Sequence, residues 1–237
     1  MGSRNDNSSL AAYLNKLMNK INTLDSNVEI DYYNASNTTI YHSTGCKNCF
    51  TKGYCNQDQL DDDQMGEIKD KMLKADFIIM ASPVYSHNVS GDTKAFIDRL
   101  SYWGHLFRLA GKHGMVFASG GNGLNHVLDY QEKVLTYMGV IIKDRVSVIS
   151  GQEITDTELT EIAESILAHA RGEMKLESND GLESAFLTFR WIYSAYEKDH
   201  VEYLYWEKNG LFECGSFQEV LDMVGNKKLV DILSTQV

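Results

Sequence analysis

Three short segments of this 237-residue chain carry residue types suited to holding an anion beside a flat ring. The opening, Gly2-Ser3-Arg4-Asn5-Asp6-Asn7-Ser8-Ser9, runs directly into an apolar-periodic stretch. Glycine permits close backbone approach, hydroxyls and amides donate hydrogen bonds, and a helix's first turn leaves N–H groups free, so such a segment can wrap a phosphate. Arg4 brings a charge able to form a charge-assisted pair with it. The second segment is Ser82-Pro83-Val84-Tyr85-Ser86-His87-Asn88 and the third is Ser119-Gly120-Gly121-Asn122-Gly123; each follows an apolar run. Parallel sheets bind ligands beyond the carboxyl ends of their strands. Three such loops at one sheet edge describe a site for a flat, phosphate-bearing cofactor.

The cysteines suggest a different chemistry and stop short of it. Cys46, Cys49 and Cys55 share a ten-residue window, spaced C-x2-C-x5-C, while Cys214 stands far away. An iron–sulfur cluster takes four thiolates. His42 with the three clustered cysteines is the zinc alternative, and a labile Cys46–Cys49 disulfide is another. We expect no metal; were one bound, Cys46, Cys49 and Cys55 would hold it.

These segments need a scaffold, and the apolar pattern supplies one. Leu10, Leu14, Leu17, Met18 and Ile21 recur at helical spacing behind a cap at Ser8 or Ser9. Residues 27–33 read as a short strand, 42–63 as an irregular cysteine-bearing insertion, and 63–74 as a helix. Apolar runs at 76–82, 114–118 and 145–149 predict strands, separated by helices over 90–109 and after 123 and followed by one over 157–170. Phe96, Leu100, Trp103 and Phe107 form the stripe of the 90–109 helix. Strands alternating with helices imply an α/β fold with a parallel sheet and right-handed crossovers. From 172 onward the rhythm changes to helices over 181–197 and 216–224, around a stretch holding Tyr203, Tyr205 and Trp206. The formal charge of −11 argues against nucleic acid and anionic membranes as partners. No apolar run approaches the roughly 18 residues of a membrane span, and no signal peptide is evident, so a cytoplasmic protein is expected.

The segments GSRNDNSS (2–9), CKNCFTKGYC (46–55) with DDDQM (61–65), SPVYSHNVSGDTKAFIDR (82–99) and the glycine loop 119–123 together resemble the flavodoxin-like NAD(P)H-dependent FMN reductases, in the branch of the iron–sulfur flavoproteins. YLYWEKNG (203–210) is also similar to that branch. The resemblance implies a flavodoxin-like three-layer sandwich: an FMN-binding domain over 1–171, and a C-terminal helical and aromatic extension over 172–237 serving as cap or dimer interface. It implies FMN as cofactor, its phosphate held by Ser3, Arg4, Ser8 and Ser9. Pro83, Val84, Tyr85 and Ser86 would line the ring with Asn88 nearby, and Ser119, Gly120, Gly121 and Gly123 would meet the other edge. Tyr85 is the one proton-donor candidate, and Lys94, Asp98 and Arg99 are expected as surface or packing residues. The implied activity passes two electrons from NAD(P)H through the flavin to a small-molecule or peptide acceptor, in a homodimer whose interface Tyr193, Tyr196, Tyr203, Tyr205 and Trp206 would suit. A flavoprotein carrier fed by a separate reductase, and a non-redox binding protein on the same scaffold, are the alternatives. The family also has a buried strand ahead of its phosphate loop, whereas this sequence opens at Met1-Gly2-Ser3. That first strand is expected to be absent or replaced. The place would be taken by residues of a longer natural chain, by a segment such as Leu229, Val230, Ile232 and Leu233, or by a partner polypeptide.

Overall fold

The computed structural model describes residues 1–226; Leu229, Val230, Ile232 and Leu233 lie outside them. Helix α1 (Ser9–Leu24) opens the chain, and the short α2 (Asn48–Lys52) lies inside the cysteine-bearing segment. Next come α3 (Met65–Lys74), β1 (Phe77–Pro83), α4 (Gly91–Leu100), the single turn α5 (Trp103–Leu106), β2 (His113–Gly120), α6 (Leu124–Tyr137) and β3 (Ile141–Ile149). Helices α7 (Asp156–Ala170), α8 (Asp180–Ser194), α9 (Val201–Lys208) and α10 (Phe217–Asn226) complete the described chain. The strands pair in parallel in the order β1-β2-β3.

Period-two alternation along the buried strands divides the helices into two layers. Ala81, Met115 and Phe117 face Leu14 and Leu17 of α1 and Leu159 and Ile166 of α7. Met80, Val116 and Ala118 face the opposite way, toward α3 through α6 and α8 through α10. The result is the expected three-layer sandwich with C-terminal helices. Phe107 meets Phe186, Trp206 and Phe217 with ring centroids 6.1, 6.0 and 5.0 Å away. Those contacts make the C-terminal helices part of the core. Tyr193, Tyr205 and Trp206 are therefore interior rather than available to a partner.

Two elements differ from the sequence reading. The helix expected over 90–109 breaks after Leu100, where the Ser101 hydroxyl donates to the Asp98 carbonyl at 3.0 Å and competes with the helical ladder. Residues 27–33 form no strand ladder. They keep an alternating exposure, with Val28, Ile30 and Tyr32 packed on the α1 side of the core and Glu29 and Asp31 paired with Lys71. A strand is defined by its neighbour, and a groove separates this segment from the edge of β1. Only Met1 and Gly2 reach across: the Met1 amine donates to Tyr33 O at 2.7 Å, and Gly2 N donates to Ala81 O at 2.9 Å. Among the described residues no helix is long and apolar enough to cross a membrane.

Candidate functional site

The loop ahead of α1 is fastened to the sheet by buried hydroxyls. Ser90 caps α4, accepting from Thr93 N at 3.1 Å, and donates through Oγ to Gly2 O at 2.6 Å. Thr93 Oγ1 donates to Ser82 Oγ at 3.0 Å, which also accepts from Ser90 N at 3.0 Å and donates to Pro83 O at 2.9 Å. Ser82 and Ser90 are wholly buried. Position 2 must be glycine, since a Cβ there would stand 1.7 Å from Thr93 Oγ1. Ser82 opens the second segment singled out from sequence, but Ser90 and Thr93 were given no role there; their visible signal was Ser90 two residues ahead of Asp92 in S-G-D-T, a helix-cap pattern.

Past Gly2 the chain folds through a chain of local bonds. Asn5 N donates to Ser3 Oγ at 3.1 Å, Asn7 N to Asn5 Oδ1 at 3.0 Å, and Ser8 N to Asn5 O at 3.1 Å. Ser8, not Ser9, caps α1, accepting from Ala11 N at 3.2 Å. The N–H groups of Ser9 and Leu10 find no acceptor among the described residues. Asp6 is turned outward onto Asn34 Nδ2 at 3.1 Å and Ser36 Oγ at 2.8 Å, which removes an anion from the cradle. Arg4 leans over the rim onto Asp92, with Nε at 3.0 Å and Nη2 at 2.7 Å from the two carboxylate oxygens.

The other two loops sit at the carboxyl ends of β1 and β2. Val84 N donates to Ser119 O at 2.8 Å, so the loops start from one ladder rung. Tyr85 and Asn88 then close a two-residue turn with bonds of 2.9 and 3.0 Å. Its central residues Ser86 and His87 have φ of 50° and 61°. That is left-handed backbone, which costs about 1–3 kcal/mol per non-glycine residue and clusters at functional sites. Gly123, at φ 70°, closes against this turn; a Cβ there would stand 2.8 Å from His87 Nδ1. Tyr85 is 56% exposed, and Ser86, Asn88 and Gly121 are exposed beside it. Ser119 is buried, and Pro83, Val84, Gly120 and Gly123 are half-buried. The N–H groups of Ser86, His87, Gly121, Asn122 and Gly123 have no acceptor among the described residues. A cradle of unspent donors on glycine-lined backbone fits a phosphate and a ring that gains negative charge on reduction.

The cysteine-bearing segment is anchored elsewhere. Arg99, its side chain 1% exposed, binds Asp63 and meets Asp58 at 2.7 Å, and Lys69 holds the other Asp58 oxygen at 2.6 Å. Arg99 is thus a packing residue of an ionic kind, whereas Lys94 and Asp98 pair on the exposed face of α4. All four cysteines are free thiols. The Asn48 N–H and the Thr44 hydroxyl draw the exposed Cys46 thiol below its ordinary pKa, while burial pushes Cys49 up. Among the described residues no three His, Cys, Asp or Glu side chains are placed to share a metal ion.

Residues 1–154 match the family described as NADPH-dependent FMN reductase. The iron-sulfur flavoprotein of Archaeoglobus fulgidus is 30% identical over 197 residues, which cover 78% of this chain and 86% of that protein. An iron-sulfur flavoprotein of Clostridioides difficile is 34% identical over 99 residues, 41% of this chain and 42% of that one. Among solved structures, an NADH:FMN oxidoreductase in its apo form superposes with a TM-score of 0.51 over 76% of this chain and 89% of its own, at 22% identity. A flavone reductase superposes at 0.54 over 76% and 65%, at 15% identity. Those two likenesses are of fold. The chain belongs to the NADPH-dependent FMN reductase family and is an FMN-binding, NAD(P)H-linked oxidoreductase. Three of the free thiols, Cys46, Cys49 and Cys55, lie in one segment, and the buried Cys214 donates to Gly210 O at 3.6 Å.

Proposed function

We propose that this chain moves two electrons from NAD(P)H to a small-molecule or peptide acceptor, with FMN seated across the carboxyl edge of its sheet. The observation that carries this reading is the convergence of three loops whose backbone donors are unspent. Ser3, Arg4, Ser8 and Ser9 hold the phosphate, helped by the first-turn N–H groups of α1. Pro83, Val84, Tyr85, Ser86 and Asn88 line one side of the ring, and Ser119, Gly120, Gly121 and Gly123 the other edge. Bound FMN supplies the hydride chemistry. The protein's share is to orient the ring and to aim N–H dipoles where negative charge develops. Tyr85, held at the turn by its own backbone, presents a hydroxyl that can give a proton to the acceptor.

In this reading residues 1–171 form the flavin domain and 172–237 its cap, and the free thiols suit a reducing cytoplasm. The homodimer forms through α8, where Leu187 and Trp191, one turn apart, are 51% and 77% exposed. The test is an anaerobic titration of the FMN-loaded protein with NADH and NADPH, followed at the flavin's visible bands. Stoichiometric bleaching by a nicotinamide supports the reductase. Bleaching by a protein donor alone makes the chain a carrier, and failure to take up FMN defeats both.

A further inference from the structure

The two loops that flank the ring site carry one histidine each. His87 stands in the turn after β1, and His126 lies past Gly123 in the first turn of α6. Their ring centroids are 6.4 Å apart, with planes at 80°. Both residues are exposed. Elsewhere in the chain imidazoles are employed: His105 pairs with Glu202 at 2.8 Å, His169 bonds to Ser165 O at 2.7 Å, and His200 accepts from Glu202 N at 3.2 Å to cap α9. The rings of His87 and His126 make no such bond among the described residues, and each has the other as its ring neighbour.

Backbone geometry fixes the first of them. His87 sits at φ 61° beside Ser86 at 50°, and the bridge between Tyr85 and Asn88 closes the turn over only those two residues. Left-handed residues other than glycine persist where their surroundings hold them, and they cluster at ligand clamps. His87 Nδ1 lies against Gly123, where a Cβ would stand 2.8 Å away. The missing side chain at 123 therefore lets this imidazole rest on the start of α6, the helix that carries His126. Two imidazoles at this separation are a chelating pair. Metal–nitrogen bonds of about 2.0–2.1 Å put the centroids of two rings on one ion roughly 5–6.5 Å apart, according to the angle between them. Imidazole nitrogen suits zinc, copper and nickel ions. The formal charge of −11 adds a field that draws cations. Among the described residues no third His, Cys, Asp or Glu joins the pair, so water fills the ion's other positions.

We propose that His87 and His126 together bind a divalent transition-metal ion, which straps the two loops across the approach to the ring and slows its reduction by NAD(P)H. Each imidazole gives one nitrogen lone pair and displaces one water from the ion, with no change of oxidation state. The slowing rests on the FMN reading above, whereas the metal site rests on the two imidazoles alone.

The test titrates Zn²⁺ into the full, untagged chain and follows the histidine rings by nitrogen NMR. Each imidazole is read separately, which keeps the thiols of Cys46, Cys49 and Cys55 apart from this site. The ring signals of His87 and His126 should shift together and reach one endpoint with a single ion, with FMN or without it. In His87→Gln the His126 ring should need at least about 10-fold more Zn²⁺, since losing even an outer-shell partner of a metal ligand costs that much. Unmoved rings, or a His126 response unchanged in His87→Gln, would overturn the site. The FMN-loaded protein is then reduced anaerobically by NADH and NADPH. Zn²⁺ should slow the reduction several-fold in the native chain and have no effect in His126→Gln. Equal slowing in His126→Gln would move the inhibition to the thiols, and no slowing while both rings are bound would leave the loops unstrapped; either overturns the proposal. Failure to take up FMN would defeat the cofactor reading, while the ring shifts of the FMN-free chain would still decide the metal site.

Discussion

Ser90 Oγ meets the carbonyl of Gly2 at 2.6 Å, tying the phosphate loop to the first turn of α4 across 88 residues of sequence. The same oxygen caps α4 by accepting from Thr93 N. Replacing Ser90 by Ala removes both bonds and leaves a buried carbonyl without a partner. Each loss is of the order of 1–2 kcal/mol, so a total of about 2–4 kcal/mol is expected in urea denaturation. FMN affinity should fall together with stability, because Gly2 fixes where the loop begins. Ser90→Thr keeps the hydroxyl and should recover most of both; unaltered FMN binding in Ser90→Ala would detach this bond from the cofactor.

How far the sequence disclosed this arrangement follows from which interactions are local. β1, β2 and the helices around them were legible because Met115, Val116, Phe117 and Ala118 are buried on both faces and read as one apolar run. The strand expected over 27–33 has the right alternation, yet its pairing depends on a neighbour that its own residues cannot reveal. Ser90, Thr93 and the anchoring part played by Ser82 were not legible for a related reason: each is an ordinary small polar residue until the fold stacks three of them in a dry space. For Arg99 the sequence leaves surface and packing roles open, and the distant Asp58 and Asp63 decide it by making the residue interior.

The turn at Ser86-His87 carries strain that a better turn sequence relieves. Two successive left-handed residues favour Asn-Gly, which adopts this backbone at little cost. The double variant Ser86→Asn with His87→Gly should gain about 1 kcal/mol in stability. If the turn's N–H groups serve the ring, FMN affinity should hold while the imidazole is lost. A pronounced fall in affinity would show instead that the His87 side chain, whose ring lies 6.4 Å from that of His126, is what the cofactor requires.

Arg99 is expected to be the most sensitive position outside the site. Its guanidinium satisfies Asp63, which is fully enclosed, and shares Asp58 with Lys69. Arg99→Met leaves a buried carboxylate unpaired, a loss that typically costs 3–5 kcal/mol. The effect should reach the cysteine-bearing segment first, since Asp58 and Asp63 bound its far end. Limited proteolysis should then cut between residues 45 and 60 well before the sheet opens. Pairing Arg99→Met with Asp63→Asn should return part of the stability, because the second change removes the stranded charge.

Acid should weaken the fold well above the pH at which carboxylates titrate. His113 opens β2 with its ring buried 4.6 Å from that of His169. Burial, reinforced by His169 and Lys143, lowers its pKa to about 4 from the ordinary 6.5. As pH falls below 6.5 the unfolded chain binds a proton that the folded chain refuses until about pH 4. Stability present above 6.5 is therefore lost across that window, by at most about 3 kcal/mol. The Met1 amine, lowered to about 6 from 8.0, acts with the same sign one to two pH units higher. The carboxylates held low, Asp25 beside Arg171 and Glu158 beside Thr155, act below the window and leave it clear. Urea midpoints at pH 7, 6 and 5 should fall progressively in the native chain. In His113→Gln, which cannot take up the proton, the pH 6 to pH 5 step should shrink to a small residue. An undiminished step would place the acid sensitivity at some other buried base.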